Sequence, residues 1–172
     1  MSPSCKRVLL VEDFPRFRHF LFTTLRNELG LRVVGEACDG VEAVERAREL
    51  RPDVVVLDIG LPKLNGIEAA RVIREQSPES KILFLSQESS APVVQAARTT
   101  GAEGYVLKAF AGRDLIPALS AAFDGKGFVS GAISQQIQFS PVGRGIARVR
   151  SAKQISSRGE TVKPSVLNRA CS

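Results

Sequence analysis

The stretch Val54-Val55-Val56-Leu57-Asp58 decides the fold of this 172-residue chain. An unbroken run of β-branched and apolar residues is typical of a strand buried on both faces, whereas a strand with one solvated face alternates apolar and polar residues. A strand buried on both faces belongs to a parallel sheet with helices on either side. The stretch therefore predicts an α/β domain, and the aspartate at its end, which is costly to bury, indicates where to look for function.

Four further strands are predicted on either side of this one, at residues 7–11, 32–37, 81–85 and 104–107. Segments with helical spacing of apolar residues separate them, and a fifth helix is expected at about 113–124, with Pro117 in or just after its first turn. Repeated strand–helix units form a doubly wound sheet. We predict a three-layer α/β/α sandwich around a five-stranded parallel sheet in the flavodoxin-like order 2-1-3-4-5.

The net charge of +6 divides the chain into two parts. Residues 1–130 contain 17 basic and 17 acidic side chains, whereas residues 131–172 contain seven basic ones and the single acidic Glu160. The second part has no sustained apolar period and few large apolar groups to offset its ordering entropy. We predict a folded domain over 1–130 and a basic, disordered C-terminal extension over 131–172.

Several protein classes are disfavoured by composition. No apolar run approaches the roughly 18 residues that cross a bilayer, and three scattered cysteines with one histidine disfavour a disulfide framework or a zinc site. A cytoplasmic location is expected. No phosphate-binding glycine motif is present, so nucleotide binding is not predicted.

Charged and hydroxyl side chains follow the predicted strands. Glu12 and Asp13 follow the first strand, Asp58 ends the third, and Ser86 and Lys108 follow the fourth and fifth. Because the carboxyl ends of parallel strands meet at one edge of the sheet, these groups are expected to converge there. Burying such charges is unfavourable unless they are paired, so folding alone does not explain them.

The converging groups suit phosphoryl transfer. Carboxylate oxygens at one point form a site for Mg²⁺, which favours carboxylates plus phosphate. Asp58 can act as a nucleophile toward a phosphoryl group. Lys108 and the metal would offset charge on the phosphoryl oxygens, and Ser86 can donate a hydrogen bond to one of them.

Over residues 6–129 the chain resembles the receiver domain of bacterial two-component response regulators. Four stretches carry the resemblance, at residues 8–13, 58–66, 82–86 and 101–108. Any one alone is weak, but all four occur in order and at strand ends. Residues 104–108 and 125–130 are similar to receivers that usually precede a helix-turn-helix output domain.

The resemblance implies a role for each site residue. Asp58 is the phosphoacceptor, Lys108 pairs with the phosphoryl group, and Ser86 and Tyr105 form a switch pair. The implied Mg²⁺ ligands are Asp13, Asp58, Glu12 through water, and the main-chain carbonyl of Gly60. A sensor histidine kinase or phosphotransfer protein is the implied phosphodonor, and an unknown downstream protein receives the signal through the face formed by the fourth helix, fifth strand and fifth helix.

The residues leave more than one function open. The main hypothesis is a stand-alone regulator, monomeric or dimerising on phosphorylation, that is not an enzyme toward a diffusible substrate. A pseudo-receiver that binds partners constitutively is the alternative, because Gln87 stands where receivers commonly have a small residue. Residues 131–172 are too few for a helix-turn-helix domain, so sequence-specific DNA binding is not expected. Weak nucleic-acid binding by the basic extension through phosphate contacts is a further alternative.

Overall fold

The computed structural model of the chain describes residues 5–131 and 133. Strands and helices alternate along it. The strands are β1 (Lys6–Val11), β2 (Leu31–Ala37), β3 (Val54–Asp58), β4 (Lys81–Ser86), β5 (Gly104–Leu107) and β6 (Phe128–Val129). The helices are α1 (Pro15–Arg26), α2 (Gly40–Leu50), α3 (Gly66–Gln76), α4 (Ala91–Thr99) and α5 (Ala111–Phe123). A short 3₁₀ turn, Lys108–Phe110, joins β5 to α5.

All neighbouring strands of the single sheet are parallel, and their order is β2-β1-β3-β4-β5-β6. The predicted flavodoxin-like order is therefore confirmed. The structure adds a sixth strand of two residues, in which Phe128 pairs with Gly104 and Val129 with Tyr105. Two residues are too few to give a periodic pattern in the sequence. The strand forms because it pairs with the edge of β5.

The two faces of the sheet are covered by different helices. Alternate residues of β3 point to opposite faces, with Val55 and Leu57 in one apolar cluster and Val54 and Val56 in the other. The first cluster includes residues of α2, α3 and α4, and the second those of α1 and α5. This gives the predicted three layers. None of the helices in the described part of the chain is long and apolar enough to span a membrane.

Helix α3 begins directly beneath the carboxyl end of β3. Its N-cap is Asn65, whose side chain accepts hydrogen bonds from the main-chain N–H groups of Ile67 and Glu68. A Cβ at Gly66 would lie 2.0 Å from the main-chain oxygen of Asp58, so only glycine permits this approach. The tight packing holds Asp58 at the edge of the sheet.

Pro117 lies deeper in its helix than expected. Helix α5 begins at Ala111, so the proline is an interior residue and not part of the first turn. The sequence pattern predicts a helix start near residue 113, because Gly112 and Arg113 give no apolar signal. In the structure, the 3₁₀ turn before Ala111 leads straight into the helix, which therefore starts two residues earlier. The missing N–H of Pro117 therefore removes a hydrogen bond inside α5.

Only residues 131 and 133 of the predicted C-terminal extension are among those described. Ile133 is 3% exposed and belongs to the apolar cluster that also contains Tyr105. Its N–H donates to the main-chain oxygen of Ser130 at 2.9 Å. The apolar core thus includes a residue beyond 130, while the domain boundary and the disorder of the remaining extension stay predictions.

Candidate functional site

Three charged side chains from separate strand ends meet at the carboxyl edge of the sheet. The ammonium Nζ of Lys108 lies 2.9 Å from Oδ2 of Asp58, and 3.0 Å and 2.8 Å from Oε1 and Oε2 of Glu12. Glu12 and Asp58 are buried, and the Lys108 side chain is only 13% exposed. The fold therefore brings together residues as far as 96 positions apart in sequence.

Burial and pairing act in opposite directions on these charges. Burial raises the pKa of Glu12, and the hydrogen bond from Lys108 offsets only part of this effect. Burial also works against the charged form of Lys108, but hydrogen bonds to Glu12 and Asp58 outweigh it and raise the pKa of the ammonium. The site thus keeps a firmly protonated lysine beside carboxylates that lack full charge compensation.

Carboxylate oxygens of Glu12, Asp13 and Asp58 can be chosen that all lie within 4.8 Å of one another. Glu12 is wholly buried, and both of its oxygens face the single ammonium of Lys108, which Asp58 also contacts. Asp13 is exposed beside it, and exposed Gly60 donates its N–H to Oδ1 of Asp58 at 3.2 Å. Three carboxylates with a single ammonium beside them offer hard oxygen ligands for a further positive charge, and this set fits a divalent cation such as Mg²⁺.

The predicted switch residues lie next to the charged cluster. Ser86 is 3% exposed at the end of β4, and its Oγ accepts the N–H of Glu88 at 3.0 Å. The ring of Tyr105 is fully buried, and its hydroxyl donates to the main-chain oxygen of Glu88 at 2.8 Å. Both residues therefore contact the same short loop after β4.

An open cavity of about 590 Å³ lies over the carboxylates. Every predicted site residue except Tyr105 contributes to its wall: Glu12, Asp13, Asp58, Gly60, Ser86 and Lys108. The exposed side chain of Gln87 lines the same cavity. A substrate group can therefore reach the buried carboxylates from solvent.

Two phenylalanines of the cavity are additions that sequence reasoning missed. Phe17 lies with its ring centroid 5.3 Å from Nζ of Lys108, within the range of a cation–π contact. Phe14 lines the cavity and is 57% exposed, so it is not a core residue. Phe17 is one helical turn beyond Asp13 in the sequence, so helical spacing could have predicted that the two residues are neighbours. Its contact with Lys108 depends on how α1 packs against the sheet.

This fold and this site define a receiver domain, and comparison with known proteins agrees. The family model of the response regulator receiver domain matches residues 8–120. The chain belongs to that family. Receiver domains of response regulators act in two-component signal transduction as signal transducers.

The relatives include both single receivers and longer regulators. The chain is 34% identical over 131 residues to response regulator GacA of Pseudomonas viridiflava, covering 76% of this chain and 61% of that protein. It is 36% identical over 115 residues to chemotaxis protein CheY of Thermotoga maritima, covering 67% of this chain and 95% of that protein. The chain thus spans about three fifths of the length of the GacA relative.

The fold is shared with solved receiver structures. A two-component response regulator of the LuxR family from Aurantimonas sp. SI85-9A1 superposes with a TM-score of 0.74 at 36% identity. The match covers 78% of this chain and 96% of that one. The resemblance inferred from four short stretches therefore extends over more than three quarters of the chain.

Proposed function

We propose that this protein accepts a phosphoryl group on Asp58 from a phosphohistidine of a sensor histidine kinase or phosphotransfer protein. The observation that carries the proposal is the contact of Lys108 with both Asp58 and Glu12 on the floor of an open cavity. Pairing a lysine with buried carboxylates at a solvent-accessible strand end serves no folding requirement. It does provide a nucleophile with a cation beside it.

The chemistry is a displacement at phosphorus. A carboxylate oxygen of Asp58 forms the new P–O bond as the P–N bond of the donor imidazole breaks, and the imidazole leaves with its electron pair. Lys108, already 2.9 Å from Asp58, would pair with the phosphoryl oxygens as charge develops on them. Ser86 lies in the wall of the same cavity, and it would donate its hydroxyl to a phosphoryl oxygen once the product has formed.

The carboxylates of Glu12, Asp13 and Asp58 would hold Mg²⁺, together with the main-chain carbonyl of Gly60. Bound there, the ion supplies charge neutralisation for the phosphoryl oxygens. The buried Glu12 carboxylate supports this assignment, because it shares the Lys108 ammonium with Asp58 and burial raises the pKa of its carboxyl. Glu12 reaches the ion through water in this proposal.

The signal would leave through α4, β5 and α5. Ser86 and Tyr105 both contact the loop after β4, so withdrawing the Ser86 hydroxyl toward a phosphoryl group would free the N–H of Glu88. This disturbs the loop to which the Tyr105 hydroxyl is anchored. Both the downstream protein that reads this change and its effect on dimerisation stay predictions, as do the cytoplasmic location and the stand-alone character of the regulator.

The decisive experiment is incubation of the purified chain with Mg²⁺ and acetyl phosphate, followed by intact-mass measurement. We expect the wild-type protein to gain the mass of one phosphoryl group and Asp58→Asn to gain none. Chelating the Mg²⁺ before adding the donor should abolish the gain in the wild type.

The matched control is Asp124→Asn, which makes the same chemical change at an exposed residue outside the site. It should be phosphorylated like the wild type. A phosphoryl group that persists in Asp58→Asn would disprove the assigned acceptor. A wild type that gains no phosphoryl mass would favour the alternative of a constitutive binding module with its site narrowed by Gln87.

A further inference from the structure

Ser130, at the C-terminal end of the sheet, is completely buried, and its N–H and hydroxyl make three hydrogen bonds to β5 and α5. Its N–H donates to the main-chain oxygen of Tyr105 at 3.0 Å, and its Oγ accepts the N–H of Leu107, also at 3.0 Å. The hydroxyl hydrogen goes to Oδ2 of Asp114 at 2.7 Å. One residue thus holds β5 on both sides of Val106 and joins it to the first turn of α5.

The strand that Ser130 holds is the one that presents Lys108 to the site. Leu107 immediately precedes Lys108, so the hydrogen bond from its N–H fixes the residue directly before the lysine. On the same strand, Tyr105 reaches the loop after β4 through its hydroxyl. The position of the Lys108 ammonium therefore depends on the end of β5, and Ser130 forms the hydrogen bonds that hold this end at the edge of the sheet.

Asp114 determines how the serine hydroxyl is used. The Arg113 guanidinium, whose Nε lies 2.7 Å from Oδ1, keeps the pKa of this carboxyl below its usual range, and the Ser130 hydroxyl contributes to the same shift. An ionised Asp114 accepts hydrogen bonds only, so the single hydrogen of the Ser130 hydroxyl points to it. A lone pair of Oγ is then left to accept the N–H of Leu107.

Ser130 is also the point from which the chain leaves the sheet. Its carbonyl accepts the N–H of Ile133, and Ile133 packs in the same apolar cluster as Tyr105. No residue of the described chain beyond β6 adds another strand to this edge. Ser130 therefore links the end of β5 to Ile133 through hydrogen bonds.

We infer that Ser130 is a positioning residue for Lys108 and couples the phosphoryl site to the chain that follows residue 130. The inference rests on the proposed function, because it needs a phosphoryl group on Asp58. Once that group forms, Lys108 is held by an added negative charge, and the end of β5 is constrained further. The Ser130 contacts carry this constraint to the C-terminal side of the domain.

Amide hydrogen exchange on the full chain, read by mass spectrometry, tests the inference. The protein is compared with and without Mg²⁺ and acetyl phosphate, and the intact mass is recorded from the same samples. In the wild type we expect exchange in the peptide covering residues 128–131 to slow about threefold on phosphorylation, since local opening becomes less frequent. Ser130→Ala should gain the phosphoryl mass on Asp58 more slowly than the wild type, because Lys108 is less firmly positioned, and the phosphorylated variant should lose this slowing of exchange.

Two further variants separate positioning from general loss of stability. Ser130→Thr keeps the hydroxyl and should restore the slowing. Ser80→Ala removes an equally buried hydroxyl, which donates to the main-chain oxygen of Pro52 at 2.7 Å far from the site, and should leave the slowing unchanged.

Four outcomes would overturn the inference. A phosphorylated wild type with unchanged exchange at 128–131 would refute the coupling and leave the phosphoacceptor assignment intact. Slowing that persists in Ser130→Ala, or that is lost equally in Ser80→Ala, would remove the role of Ser130. A wild type that gains no phosphoryl mass would refute the proposed function, and the coupling with it.

Discussion

At the scale of single residues, the site balances function against stability. Glu12 is buried beside Asp58 with one lysine between them, so two carboxylates share one compensating charge. Desolvation of this kind is unfavourable unless every charge is paired. This arrangement suits a site in which groups from outside the chain, a cation and a phosphoryl group, complete the pairing of charges.

The Glu12 carboxyl gives a pH-dependent prediction. Its pKa is raised by burial in the folded protein, so the folded state binds its proton more tightly than the unfolded state does. Wild-type stability should therefore fall, relative to Glu12→Gln, as the pH rises from the ordinary glutamate value of about 4.5 through the raised one. Urea unfolding across this range, with a chelator present, measures the difference.

Adding Mg²⁺ provides the matching control for Glu12. A ligand that binds only the folded state raises the free energy of unfolding, so millimolar Mg²⁺ should stabilise the wild type more than Glu12→Gln. A difference between the two proteins that is constant with pH, and equal with and without Mg²⁺, would contradict the role given to this carboxylate.

At the scale of elements, helix α5 contains a proline at an interior position, where alanine is more favourable. Pro117 lies in its interior and is exposed, so replacing it sacrifices little packing. Alanine restores a main-chain N–H and removes the steric conflict of the proline ring with the preceding turn. Pro117→Ala should raise the free energy of unfolding by about 1–3 kcal/mol in urea titrations.

Pro92 offers a control of the same kind. It occupies the start of α4, where an N–H has no partner within the helix, so Pro92→Ala should give no comparable gain. An equal effect of both substitutions would show that the interior position of Pro117 carries no particular cost.

At the scale of the whole molecule, the core extends past the predicted domain end. Ile133 is buried in the apolar cluster that also contains residues of α4 and β5, so removing its side chain leaves a cavity. Ile133→Ala should lower the free energy of unfolding by about 2–4 kcal/mol. Leu29→Ala, which removes a side chain that is 97% exposed, should cost almost nothing in the same assay. Equal effects would place Ile133 outside the cooperative core.

Local sequence patterns were sufficient for most of the architecture. Continuous apolar runs predicted the buried strands, and the repeat of strand–helix units predicted the doubly wound sheet. The start of α5 and the strand Phe128–Val129 were missed. Both depend on neighbours in space: the 3₁₀ turn after β5 in one case and the open edge of β5 in the other.

The sequence by itself determined which chemical groups stand at the strand ends, because strand periodicity and chain order are local properties. It therefore predicted that Glu12, Asp58 and Lys108 share one edge of the sheet. Only the tertiary structure decided how they pair, with one ammonium contacting both carboxylates. It alone also joined Ser130 to Leu107 and Asp114. Such contacts depend on how distant segments pack, and no spacing along the chain encodes them.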